Sequence, residues 1–293
     1  MPARSIRLST AIGAIAILLW STLAILTTGA GQVPPFQLTA MTFALAFLLA
    51  LAKWLLKGES IAGHLRQPPQ VWLVGVGGLF GYHFFYFVAL RNAPPVEANL
   101  INYLWPLLIV LFSALLPGER LRWYHAAGVL AGLAGTALLV TGGRLELKVE
   151  FLPGYFAALA CALTWSAYSV INRRFGHVPT DAVGGFCGLT ALLALLCHLA
   201  FEATVWPQGL AWLSVVALGL GPVGAAFFLW DHGVKHGDIR ALGAAAYATP
   251  LLSTLLLIVF GQAEPGLALG LALVLIVGGA VLGAGGLIVR RAA

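Results

Sequence analysis

Seven residues in the first half of the chain have types and spacings suited to binding. Tyr82, His83 and Tyr86 stand at i, i+1 and i+4, and Asn99, Asn102, Tyr103 and Pro106 at i, i+3, i+4 and i+7. On helices each set forms one stripe. The stripes offer phenol hydroxyls, carboxamides, one imidazole and ring faces. Such groups can hydrogen-bond a polar head and hold a flat apolar body. Edge-to-face ring contacts add about 0.5–1.5 kcal/mol beyond area burial, and a ring face can also hold a cation. His83 is the ionisable member. It could touch substrate, carry a proton, or be a neutral histidine bonded to a neighbouring helix.

These stripes must sit in a membrane. Of 293 residues, 60% are hydrophobic and 9% charged, against about 25% charged in soluble domains. A spanning helix needs about 20 mainly apolar residues. Ten stretches qualify: 10–29, 34–56, 71–91, 95–116, 123–142, 152–174, 180–201, 209–230, 240–260 and 266–289. Too little chain remains for a soluble domain. The 35 glycines suit close helix packing. Cys161, Cys187 and Cys197 all fall inside spans and read as packing thiols. Arg4 and Arg7 before an apolar run could mark a signal peptide, but with nine more spans following, an uncleaved first span is expected.

Ten alternating spans divide the 16 basic residues unevenly between the two faces. Arg91, Arg144 and Lys148 fall on one face, the remaining 13 on the other. Basic residues accumulate on the cytoplasmic side, so both termini are expected there. Net charge is +6, but no basic patch forms, which argues against nucleic acid.

The two halves look like copies. Tyr103-Leu-Trp-Pro106 and Tyr247-Ala-Thr-Pro250 are 144 residues apart. Ala89-Leu90 aligns with Gly233-Val234 and Tyr86 with Trp230 at the same offset. Trp20-Ser21 and Trp165-Ser166 correspond with a slip of one, as do Glu119 and Glu264. An odd number of spans per copy inserts the second copy upside down, a transporter signature. Residues 1–147 and 148–293 are therefore expected to be two inverted five-helix repeats. Pro106 and Pro250 lack an N–H and clash with the carbonyl four residues back. They are expected to act as hinges and to free the carbonyls of Asn102 and Ala246. Those carbonyls need water, a side chain or a substrate.

On Trp20-Ser21, Ala89-Leu90, the Tyr103–Pro106 helix running on to Gly118-Glu119, and their partners, the chain resembles the drug/metabolite transporter superfamily, in its ten-helix EamA-type members. The stretch from Trp230 to Arg240, with Ala244–Thr254, is similar to the YddG-type aromatic amino acid exporters. The resemblance implies export of aromatic amino acids from the cytoplasm and a basket of helices around a central cavity.

The expected fold is thus an all-α integral membrane protein with ten transmembrane helices. The expected function is export of aromatic or hydrophobic amino acids across the inner membrane by alternating access. A broad exporter of amphipathic drugs or other metabolites is the alternative. Candidate substrate contacts are Tyr82, His83, Tyr86, Asn99, Asn102, Tyr103, Trp105, Trp165 and Ala246. Tyr82, Tyr86, Tyr103, Trp105 and Trp165 lie well inside their spans, whereas Trp72, Trp123 and Trp212 fall at ends, where interfacial belts form. On an ideal helix Trp105 points about 160° from Asn99, so its access depends on the kink. The first half is expected to supply the polar contacts and the second, through Gly243 and Ala246, a small-residue wall. His198 and Glu202 are expected at the interface. Asp231, His232, Lys235, His236, Asp238 and Arg240 are expected to form a solvated or salt-bridged turn.

What is missing narrows the field. No Asp or Glu lies in residues 10–29, where a small multidrug antiporter would carry one. No basic residue lies mid-span, as a phosphorylated-sugar carrier would want. No HExxH or paired intramembrane aspartates occur, and Ser113 and Ser253 have no evident base, so catalysis, a metal and a cofactor are not expected.

Overall fold

The computed structural model describes residues 3–117, 121–145, 147–261, 264 and 266–283. Gly118, Glu119, Arg120, Arg290, Arg291 and the expected tail of the last span lie outside the described residues. No strand occurs among the described residues. Among those residues nine helices are long and apolar enough to cross a membrane. They are Arg4–Gly29, Pro35–Leu56, Pro69–Asn92, Pro95–Ser113, Trp123–Thr141, Val149–Phe175, Ala182–Phe201, Ala211–His236 and Ile239–Val259, called here the first to ninth spans. A tenth apolar helix, Leu267–Leu282, is shorter within the described residues.

Each span of the first half packs chiefly on one span of the second. The first meets the eighth, the second the seventh, the third the sixth and the fifth the tenth, while the fourth packs most on the sixth and also meets the ninth. Exchanging the halves turns the first–eighth contact into the sixth–third contact and leaves the second–seventh, fourth–ninth and fifth–tenth pairs unchanged. At the first–eighth crossing the backbones touch. A Cβ added at Gly233 would lie 2.6 Å from the Gly13 Cα, and one added at Gly13 would lie 2.9 Å from the Gly233 Cα. Neither position has room for a side chain.

Four spans are interrupted, and two interruptions are those the prolines predict. The fourth span divides into Pro95–Asn102 and Trp105–Ser113, and the ninth into Ile239–Ala246 and Ala248–Val259. Leu104 N donates to the Ile101 carbonyl (3.1 Å), a tighter turn than the helix around it. The first span also breaks, after Trp20, and the eighth carries a π-turn at Gly221–Ala225 with Pro222 inside it. These two irregularities are tied together. Trp20 Nε1 donates to the Pro222 carbonyl (3.0 Å), so one bend satisfies a backbone group of the other.

One expectation about the span ends is corrected. His198 and Glu202 do not stand exposed at an interface; their side chains are 4% and 3% exposed. Pro34 precedes the second span and has no side-chain acceptor to cap it. The Glu202 carboxylate does so from the seventh span's end, accepting from Phe36 N (3.0 Å) and Gln37 N (3.1 Å). Of the expected solvated or salt-bridged turn, the salt-bridged form is what occurs: Asp231 pairs with Lys235, buried within the protein, and Asp238 with Arg240. The two nitrogens of His198 reach Glu202 (3.1 Å) and Thr204 (2.9 Å).

The glycine crossing yields a stability prediction. Gly233→Leu should lower the unfolding free energy of the detergent-solubilised protein by about 1–3 kcal/mol, the usual cost of overpacking. A thermal melt unchanged from wild type would show that the first and eighth spans can part at no cost.

Candidate functional site

The third and fourth spans run antiparallel through the short Ala93–Pro94 connection, which brings the two sequence stripes face to face. The Tyr86 hydroxyl donates to Asn99 Oδ1 (2.7 Å), and Asn102 Nδ2 donates to the Tyr82 hydroxyl (3.0 Å). The two tyrosine rings lie parallel, 6.1 Å apart and 5° from coplanar orientation. The result is a two-rung ladder of phenol and carboxamide. Asn102 is 4% exposed, and its Oδ1 has no protein partner. Whichever way the amide is turned, one polar end is left over. A buried group in that state costs about 1–3 kcal/mol, which a ligand's complementary group would recover.

His83 bonds within its own helix rather than to a neighbour. Its Nδ1 lies 2.7 Å from the Leu79 carbonyl. A carbonyl only accepts, so Nδ1 carries the proton and Nε2 is the remaining acceptor of the neutral ring. The imidazole sits edge-on to Phe43 (5.1 Å, 88°) and beside Phe227 (6.3 Å).

Below the ladder stands a cluster of large rings. Trp165 links the two, lying 5.5 Å from Tyr82, 5.6 Å from Trp20 and 5.7 Å from Phe227. Trp20 packs on Trp105 (6.2 Å) and Trp230 (5.1 Å). Both halves of the fourth span pack on the sixth, and just past the break Ser166 Oγ donates to the Trp105 carbonyl (3.0 Å). Trp105 and Trp165 are 5% and 3% exposed, so in this conformation their rings meet mainly other rings. Tyr103 is half-buried at the break itself.

Ala246 is fully buried in the core, in the same cluster as the tryptophans. The small residues of the ninth span let it approach the kinked fourth. A Cβ added at Gly243 would meet Val110 at 2.8 Å and the Pro106 carbonyl at 3.2 Å. The second half also brings rings to this region: Phe227 and Trp230, with Trp165. Trp20, Phe227 and Trp230 were not among the sequence candidates, although each falls opposite one in the repeat. Trp20 is the mate of Trp165, Phe227 of His83 and Trp230 of Tyr86.

The assembled groups suit binding. Ser166 Oγ is spent on a backbone carbonyl, Ser169 Oγ accepts from Trp230 Nε1 (3.0 Å), and Cys161 Sγ donates to the Tyr82 carbonyl (3.3 Å). Glu59, His64 and Asp181 have the donor types of a metal site and ligand atoms within 4.8 Å of one another. There Lys53 already neutralises Asp181 and His64 bonds Glu59 (3.0 Å).

Comparison with known proteins places this geometry. The EamA-like transporter family matches residues 8–141 and again residues 152–284. An aromatic amino acid exporter YddG from Ancylobacter novellus is 59% identical over 94% of this chain and 96% of that one. A second YddG exporter, from Salmonella typhimurium, is 28% identical over 85% of this chain and 87% of that one. A solved crystal structure superposes with a TM-score of 0.90 at 58% identity, covering 94% of this chain and 96% of that chain. With both halves matched and the helical ladder and kinks in place, the chain belongs to the EamA-like transporter family of multi-pass membrane proteins.

Proposed function

We propose that this protein exports aromatic and other hydrophobic amino acids by alternating access across the inner membrane, with both termini cytoplasmic. The observation that carries the reading is the Tyr82–Asn102 and Tyr86–Asn99 ladder standing directly on the tryptophan cluster. The cluster offers ring faces to an aromatic side chain. The ladder offers neutral hydrogen-bonding groups, one of them unpartnered, to its polar head. The names of the relatives support the substrate class.

Residues 1–147 and 148–293 act as the two inverted repeats. Two family matches that begin 144 residues apart support this, as does a packing pattern that maps onto itself when the halves are exchanged. Pro106 and Pro250 are the hinges. The second half of the fourth span packs on the first half of the ninth, where Gly243 lies against the Pro106 carbonyl, so the two broken spans meet.

Two measurements in proteoliposomes test the reading. Tyr82→Ala or Asn102→Ala should cut labelled phenylalanine transport about tenfold or more, since each removes a hydrogen bond worth about 1 kcal/mol and leaves its partner unpaired. Wild-type rates in both variants, at equal folded yield, would remove the ladder from the substrate path. The second concerns coupling. With Nδ1 held by Leu79, protons could reach the ring only at Nε2. If His83 carries them, His83→Gln abolishes the response to an imposed pH gradient while phenylalanine counterflow persists. A gradient response that survives the substitution excludes His83 as the carrier.

A further inference from the structure

Immediately after Trp230, on the same helix, the chain buries a carboxylate and an ammonium. The side chains of Asp231 and Lys235 are 0% and 1% exposed and pair at 2.9 Å across one turn. Asp231 also accepts from Asn172 Nδ2 (2.6 Å) and Thr180 Oγ1 (2.7 Å). Lys235 Nζ donates to the Val178 carbonyl (3.1 Å). Tyr168 is 2% exposed, and its hydroxyl has no partner.

A buried ion pair is weak support for stability, because desolvation offsets most of its attraction. This pair has a second peculiarity. Both members sit on the eighth span, whereas every group that closes them off belongs elsewhere. Asn172 comes from the sixth span, and Val178 and Thr180 from the connection to the seventh. If the eighth span parts from the sixth and from the connection that follows it, the pair stays intact. Asp231 is then left with two empty acceptor positions and Lys235 with one idle donor.

The head of an α-amino acid has the matching chemistry. Its ammonium replaces the donors lost from Asp231, and its carboxylate replaces the Val178 carbonyl on Lys235. The ladder residues Tyr82, Tyr86, Asn99 and Asn102 carry no fixed charge, so they cannot meet both ends of a zwitterion in this way. The position fits as well. Trp230, one residue earlier, belongs to the ring cluster that would take the aromatic side chain.

We propose that Asp231 and Lys235 form a second substrate site, a loading site that reads the zwitterionic head of an amino acid when the eighth span parts from the sixth. This rests on the amino-acid reading above and adds where the two charges are recognised.

The test is labelled phenylalanine uptake into proteoliposomes from the face that bears these residues. Competitors are phenylalanine, phenethylamine (ammonium only) and 3-phenylpropionate (carboxylate only). In the wild type, phenylalanine should compete about tenfold better than either one-charge analogue. Asp231→Asn should raise KM and abolish competition by phenethylamine while sparing that by 3-phenylpropionate. Lys235→Met should do the reverse. This crossover of analogues is not expected of residues that merely hold the fold together. If the charge variants fail to fold, Asn172→Ala carries the test. It keeps both charges and removes an intramolecular competitor of the substrate, so KM from this face should fall; an unchanged or raised KM overturns the site. Wild-type KM and competitor order in both charge variants would overturn it equally. A wild type that moves no phenylalanine would instead overturn the amino-acid reading itself.

Discussion

The constraint on which the rest depends is that a polar group at membrane depth must find its partner inside the protein. A straight bundle of apolar helices satisfies it trivially and can do nothing else. This chain departs from straightness at four spans, and each departure releases backbone groups. The repair is made across spans. Trp20 reaches the Pro222 carbonyl, and Ser166 reaches the Trp105 carbonyl. The kinks and the ring cluster are thus one device. Of the tryptophans that gather at the centre, Trp20 bonds with its indole a carbonyl inside the eighth span's irregular turn.

The same constraint explains which features could be read from the sequence and which could not. Spans follow from composition and length, and the two proline breaks follow from the missing N–H, so both were legible. The Tyr82–Tyr86 and Asn99–Asn102 stripes were also legible, because helical periodicity fixes which residues share a face and the short Ala93–Pro94 connection makes the two faces neighbours. Burial of ionisable groups was not. Asp231, Lys235, His198 and Glu202 lie close to span ends, where hydropathy alone places them in the interface. Their burial follows from which helix ends dock on one another, a long-range fact that no local window contains. The Glu202 cap on the second span is of this kind: the helix start and its acceptor are about 165 residues apart.

The halves share a backbone plan and divide the chemistry. At the offset of 144 residues, His83 corresponds to Phe227, and the two rings meet in the folded protein. Asn99 corresponds to Gly243, which is used to admit the fourth span's kink rather than to face an opening. The divergence of the copies is therefore complementary. One copy carries the hydrogen-bonding groups, and the other closes the space behind them with rings and close backbone contact. A symmetric pair of stripes would have placed twice as many polar groups at membrane depth, each needing a partner.

This division bears on how such a protein could change state. Backbone contact at Gly13 and Gly233 makes the first and eighth spans a natural rigid pair, since no side chains intervene to slide past one another. The Trp20 bond to Pro222 ties the same two spans farther along, so they should move as a unit. The polar bonds around Asp231 join that unit to the sixth span and to the connection beyond it. Hydrogen bonds of this kind can exchange for water or for a ligand's polar groups at modest net cost, whereas glycine-to-glycine packing offers nothing to exchange. The mobile boundary should therefore fall where the contacts are polar, between the eighth span and the sixth, and the ring cluster beside it would be the surface that the movement opens.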